Sequence, residues 1–166
     1  DTPISDEQKS AIETYLKIGG VGWYILFDEQ GACPHQDTDD HAGEKAIARA
    51  EQASADLILL DIVMTGMDGF ETCRHLKAGK QTRTIPIIFM TVLADIEDIV
   101  TGFKAGAADY VTKPILIPEL LARIQTQIEL RRFQAALRAK NRKLKQEVGK
   151  CLQMEKQIRF LNQELM

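Results

Sequence analysis

The chain has 166 residues, 45% of them hydrophobic and 27% charged, and a formal net charge of −3. That supports one ordinary core with an appendage and falls short of two full cores. No apolar run approaches the roughly 18 residues that span a bilayer, Asp1-Thr2-Pro3 lacks the charged and apolar regions of a signal peptide, and Cys33, Cys73 and Cys151 form no CxxC pair. The expectation is a soluble, cytoplasmic protein with neither membrane contact nor a disulfide or zinc framework.

In chain order, residues Asp6 to Ile18 have helical character, opened by Ser5 in a capping box with Gln8 and stopped by Gly19-Gly20. An apolar stretch, Val21 to Phe27, ends at Asp28-Glu29. The following residues read as a loop insertion over about 28–42, because Gln30 to His35 is a poor helix. Cys33, His35, Asp37, Asp39, Asp40 and His41 crowd this loop, but their spacing fits neither zinc nor calcium, and a solvated acidic loop is the plainer reading. Beyond it Ala46 to Ala53 is helical, Leu57 to Leu60 is a continuous apolar run and Gly69 to Lys77 is helical again. Ile85 to Met90 is a second run, Asp95 to Ala105 another helix, and Tyr110 to Thr112 a short strand before Lys113-Pro114. Short strands without a polar face, alternating with helices, indicate a parallel sheet covered on both sides. In such sheets the site lies beyond the carboxyl ends of the strands.

Asp61, Thr91 and Lys113 terminate the three successive strands and so converge on one edge. A carboxylate there can attack phosphorus and form an aspartyl phosphate if charge on the transferring group is neutralised. Lys113 supplies a positive charge and the Thr91 hydroxyl a hydrogen bond to a phosphoryl oxygen. A single polar residue at a strand end is unremarkable in any fold; three of these types together are not.

The segments that carry these residues resemble a known family. Asp56-Leu57-Ile58-Leu59-Leu60-Asp61-Ile62-Val63-Met64 with Gly66-Met67-Asp68-Gly69-Phe70 is similar to the phosphorylation segment of response-regulator receivers in two-component signalling. Ile85 to Thr91 resembles their fourth strand, and Gly106-Ala107-Ala108-Asp109-Tyr110-Val111-Thr112-Lys113-Pro114 their fifth; together these cover about residues 43 to 126. The resemblance implies an α/β, flavodoxin-like (βα)5 receiver fold with a parallel five-stranded sheet, phosphotransfer from a sensor histidine kinase, and Mg²⁺. Carried over by position, Asp61 is the phosphoacceptor, Thr91 and Lys113 bind the phosphoryl group, and Tyr110 is the aromatic switch; read without the family, Tyr110 is only a half-buried aromatic. The metal would be held by Asp61, the backbone carbonyl of Val63 and an acidic pair. Thr65 stands where the family usually has proline, and Val92 where it usually has a small residue. Val92 is expected to crowd an attacking water and lengthen the life of the aspartyl phosphate.

The family's first strand and its acidic pair admit two placements. Either Trp23 to Phe27 is that strand and Asp28-Glu29 the pair, or Asp1-Thr2-Pro3 is the remnant of the acidic turn, Asp6 to Ile18 the first helix and Val21 to Phe27 the second strand, with Asp6-Glu7 a further candidate. An acidic pair directly after an apolar strand suits oxygen coordination of Mg²⁺, which favours Asp28-Glu29; the order helix then strand favours the other placement. Residues 1–126 are thus expected to form the receiver, with 1–42 atypical.

From Pro118 onward one helix of about 48 residues, near 70 Å, is expected. Leu130, Leu137, Leu144, Cys151, Ile158 and Leu165 recur every seventh residue, with Phe133, Met154 and Leu161 at d positions, so residues 127–166 read as a dimeric coiled-coil signalling helix. Lys140 and Glu147 at d positions weaken its middle. Residues 131–166 hold ten Lys or Arg against three acidic residues, leaving −10 of the total for the rest of the chain. No aromatic interleaving or recognition-helix pattern accompanies that basic surface, so nucleic-acid binding is not expected. The pattern resembles connectors of hybrid signalling proteins, including those of cyanobacterial type, and implies a downstream effector domain. Three functions compete: a phosphorylated switch that is not otherwise an enzyme, an unphosphorylated pseudo-receiver serving as a dimerisation scaffold, and a haloacid-dehalogenase-type phosphatase. The last needs a second acid two residues after the nucleophile, where Val63 stands.

Overall fold

The computed structural model describes residue 10 and residues 23–28, 31–36, 41–52, 55–92 and 96–164. Asp1, Asp6, Glu7 and Glu29 lie outside them. Among the described residues five strands and four helices follow one another: β1 Trp23–Asp28, β2 Gly31–Gln36, α1 Ala42–Gln52, β3 Leu57–Asp61, α2 Gly69–Ala78, β4 Ile87–Thr91, α3 Ile96–Ala105, β5 Asp109–Thr112 and α4 Ile117–Glu164.

The strands form one sheet in the order β2-β1-β3-β4-β5, the strand order of flavodoxin-like folds. β3, β4 and β5 are parallel, with Leu59 level with Ile88 and Phe89 with Tyr110. The expected five-stranded parallel sheet is corrected at the other side, where β1 runs antiparallel to both β2 and β3. Only two residues separate β1 from β2 in the sequence, and a connection that short joins antiparallel strands, since a parallel crossover needs a dozen residues or more. The expected loop insertion over about 28–42 is likewise replaced in part by β2, whose Pro34 is tolerated because β2 lies at the sheet edge.

Successive residues of a strand face opposite sides, and both sides here are covered. Ile58, Leu60, Ile87 and Phe89 join Ala42, Ala46, Ala50, Cys73 and Leu76, the inward residues of α1 and α2. Leu57, Leu59, Ile88 and Met90 join Ile25, Val111 and, from α4, Leu120 and Ile124. Continuous apolar runs are therefore required in β3 and β4, where a one-sided sheet would alternate. The buried Ala42, Ala46 and Ala50 recur every fourth residue along α1, small enough for close approach to the sheet.

The chain divides into two units, one ending at Arg131 and one comprising residues 132–166. As far as residue 164 the second is the continuation of α4, a helix of 48 residues in all. Among its described residues no side chain is buried, and Phe133, Leu137, Leu144, Val148, Leu152, Met154, Ile158 and Phe160 keep between 51% and 72% of their surface in solvent.

Candidate functional site

Asp61 ends β3, Thr91 ends β4 and Lys113 follows β5 by one residue. The parallel register sets Asp61 level with Met90, and Thr91 level with Thr112, so all three residues stand at one edge of the sheet. The Lys113 backbone is fixed to β4 by its N–H, which donates to the Thr91 carbonyl at 2.7 Å. Its side chain reaches across to β3, and Nζ lies 2.7 Å from Asp61 Oδ2. Asp61 Oδ1 accepts from the Val63 N–H at 3.2 Å. With Asp61 and Thr91 exposed by only 1% and 2%, the carboxylate is held by a cation and an amide, the arrangement that makes a buried charge tolerable.

The loop after β3 is shaped by two glycines. Gly66 has φ 75, in the left-handed region that favours glycine. Gly69 packs so closely that a Cβ there would overlap the Asp61 carbonyl and the Ile62 backbone, and its N–H donates to Ile62 O at 3.0 Å. Asp68 caps α2, its Oδ1 accepting from Glu71 N–H at 2.7 Å.

Tyr110 is half-buried and meets Phe103 edge to face, with ring centroids 6.0 Å apart. The two rings line a small cavity with Ile62, Phe89 and Thr91 between α3 and β5. Asp109 accepts two bonds from Arg123, at 2.9 and 2.8 Å, and one from the Tyr110 N–H at 2.8 Å. The bonds to Asp109 and then Glu119 hold the Arg123 pKa above its usual value. Asp109 and Arg123, which fasten β5 beside Tyr110 to the first turns of α4, were not expected from the sequence; neither residue carries a local pattern. The Asp68 cap was also not expected, although Asp68 and Glu71 stand three residues apart at the start of the helix.

The acidic pair is where expectation and structure part. β1 runs against β3 with Tyr24 level with Leu60 and Phe27 level with Leu57. Asp28 is therefore beyond the Leu57 end of β3, about 17 Å along the strand from Asp61, and the assignment of Asp28 as a carboxylate beside Asp61 is corrected, while Glu29 lies outside the described residues. Asp1, Asp6 and Glu7 lie outside the described residues. Among the described residues no cluster of three or more His, Cys, Asp or Glu could hold a metal. Asp61 suits Mg²⁺ as one oxygen ligand, and Val63 stands beside it, 41% exposed. Val92 follows Thr91 and is 63% exposed, at the rim of the site.

Residues 32–125 match the response regulator receiver domain family. The DNA-binding dual master transcriptional regulator RpaA of Synechocystis is 42% identical over 83 residues, which are 50% of this chain and 34% of that protein. A probable cyclic di-GMP phosphodiesterase of Vibrio cholerae is 40% identical over 107 residues, 64% of this chain and 24% of that protein. The chain thus spans about a third or less of the length of these curated relatives. The receiver domain of a sensor histidine kinase from Pseudomonas aeruginosa, solved with magnesium coordinated in its active-site cleft, aligns over 77% of this chain and 93% of its own, with a TM-score of 0.53 and 26% identity.

Proposed function

Because the chain belongs to the response regulator receiver family, we propose that Asp61 accepts a phosphoryl group from the phosphohistidine of a sensor histidine kinase. An Asp61 carboxylate oxygen forms the new bond to phosphorus as the bond from phosphorus to histidine nitrogen breaks, leaving an aspartyl phosphate and a free imidazole. Lys113 offsets the charge of the incoming group, the Val63 N–H is a further donor, and Thr91 supplies its hydroxyl from the adjoining strand. The observation that carries this reading is the 2.7 Å pair between Lys113 and Asp61 with Thr91 buried at the same edge. Asp61 and the Val63 carbonyl would hold Mg²⁺, with Asp1, Asp6 and Glu7 as the acidic candidates for the rest, and the ion would supply neutralising charge to the phosphoryl group.

The output runs through α4. Its apolar residues from Leu130 onward recur at heptad spacing on an exposed helix, and the partner proposed is a second copy in parallel, giving a coiled coil that precedes an effector domain. Roughly ten seam residues per chain, each worth about 1.5 kcal/mol or more when buried, make the dimer independent of phosphorylation. Tyr110 follows Thr91 when the phosphoryl group arrives, altering the face beside α4. Sedimentation should give a dimer with and without phosphodonor.

A second reading is an unphosphorylated scaffold that keeps the same fold; it draws on the described residues, among which no group of three or more His, Cys, Asp or Glu could hold a metal. Intact mass after acetyl phosphate, with and without Mg²⁺, separates the two. One added phosphoryl group supports the switch, and none in either condition supports the scaffold.

A further inference from the structure

β3 carries an acidic residue at both ends. Asp61 closes it at the site, and Asp56 stands immediately before its first residue, Leu57. All five residues of the strand are buried. At its foot, Arg131 Nη1 donates to Asp56 Oδ1 at 3.0 Å and to the Ala55 carbonyl at 2.6 Å. These partners are 75 and 76 residues away in sequence, so this is a tertiary clip, unlike the neighbouring-turn pairs Arg123–Glu119 and Arg159–Glu155.

The clip has a defined place on α4. Leu120, Leu121, Ile124 and Ile128 pack against the sheet at helical spacing, and Arg131, three residues after Ile128, continues that face by one turn. Beyond Arg131 every described side chain of α4 is exposed. Arg131 therefore marks the turn at which the helix ceases to be part of the packed unit. Two residues before the neighbouring strand β4, the Ile85 carbonyl likewise accepts from Lys77 Nζ at 2.6 Å; the turns that lead into β3 and β4 thus each bind a basic side chain through a backbone oxygen.

We propose that Arg131 is a positioning residue for output: by gripping Asp56 and Ala55 it ties the departing turn of α4 to the foot of the strand whose head is the phosphoacceptor. The proposal rests on the phosphoacceptor reading. A densely packed strand transmits displacement along its length because its neighbours leave no void to absorb it. The pair at the foot is partly solvated, with Arg131 and Asp56 side chains 27% and 34% exposed, so it is weak enough to be re-formed in a shifted position. The arrangement gives one ion pair, Lys113–Asp61, that changes with phosphorylation and a second, Arg131–Asp56, that hands the change to the helix.

The test uses the full chain and the variants Arg131→Gln, Arg131→Lys and Asp56→Asn, with two readouts: Asp61 labelling by acetyl phosphate, and hydrogen exchange of the amides of residues 129–140. Labelling rates should stay within twofold of wild type in all three variants. In the unlabelled chain Arg131→Gln and Asp56→Asn should exchange these amides about tenfold faster, and the further change caused by phosphodonor should fall below a third of its wild-type size. Arg131→Lys, which keeps the charge and one donor contact, should recover part of both. Exchange in Arg131→Gln equal to wild type, or a full phosphodonor response in that variant, overturns the proposal. A wild-type chain that takes up no phosphoryl group defeats the phosphoacceptor reading instead, and the unlabelled exchange comparison still decides whether the clip holds the helix.

Discussion

Leu59 and Leu137 are the same side chain in opposite circumstances. Leu59, in β3, is fully buried among Ile25, Ile88, Met90 and Leu120, whereas Leu137, on the exposed part of α4, keeps 60% of its surface in water. Both belong to regular apolar patterns, one a strand run and the other a heptad repeat. A periodic apolar pattern announces that a partner exists; whether that partner lies in the same chain is decided by what the topology brings near. In the receiver the helices supply it. Along residues 132–164 nothing among the described residues does.

The sharpest break in that comparison is chemical. Asp61→Asn should abolish labelling by a phosphodonor while the receiver still melts cooperatively, since the change is nearly isosteric and removes only the nucleophile; persistent labelling would move the phosphosite elsewhere. Next in size, Leu59→Ala should destabilise the receiver by about 2–5 kcal/mol in denaturant unfolding, the usual range for truncating a buried leucine. A loss below about 1 kcal/mol would mean that β3 is not packed on both faces.

A smaller effect follows from Cys73 on α2, whose Sγ donates to the Ala105 carbonyl at 3.5 Å. Burial pushes its thiol pKa from 9.0 up to about 11, against the opposing pull of Lys77 and Arg74. The folded chain keeps the proton over a range in which the unfolded chain releases it. Stability from this group is thus complete below pH 9.0 and is lost as pH rises toward about 11, with a slope of at most about 1.4 kcal/mol per pH unit. Cys73→Ala should flatten that limb of the pH profile, and Cys151, exposed on the stalk, should react with a thiol reagent at neutral pH while Cys73 does not.

Least of all, Leu137→Ala should change receiver unfolding by under about 0.5 kcal/mol, as expected of a solvent-facing site. The same substitution should weaken self-association measured by sedimentation. Association unchanged by Leu137→Ala would count against the heptad face as the proposed contact.

How far the sequence could be read depends on the kind of information each residue carries. The common edge of Asp61, Thr91 and Lys113 was legible because Asp61 and Thr91 end buried strands, Lys113 directly follows the third strand, and parallel strands put their ends together. The misplacement of Asp28 came from strand direction. A period-two or continuous apolar pattern is the same read forwards or backwards, so Trp23 to Phe27 identifies a strand without fixing which of its ends lies beside Asp61. β2 was missed because Gly31, Pro34 and His35 are poor strand formers, and position at the edge overrides propensity. Arg131 was hidden by its surroundings: among ten cations in the last 36 residues, nothing local distinguishes the one that turns back to Asp56. Long-range pairs of this kind, like Asp109 with Arg123, exist only once the fold has formed.

Gly149 gives the long helix a mechanical property of its own. It lies within α4, and a Cβ placed there would meet nothing within 4 Å. Neither close packing nor backbone conformation therefore demands glycine, and its presence leaves that turn softer than alanine would by roughly 0.5–1 kcal/mol. In the terms of a loaded beam, α4 has a compliant section 18 residues past Arg131. Twist applied at the base is partly taken up as local strain there and reaches the distal turns attenuated, and Gly149→Ala would stiffen the transmission.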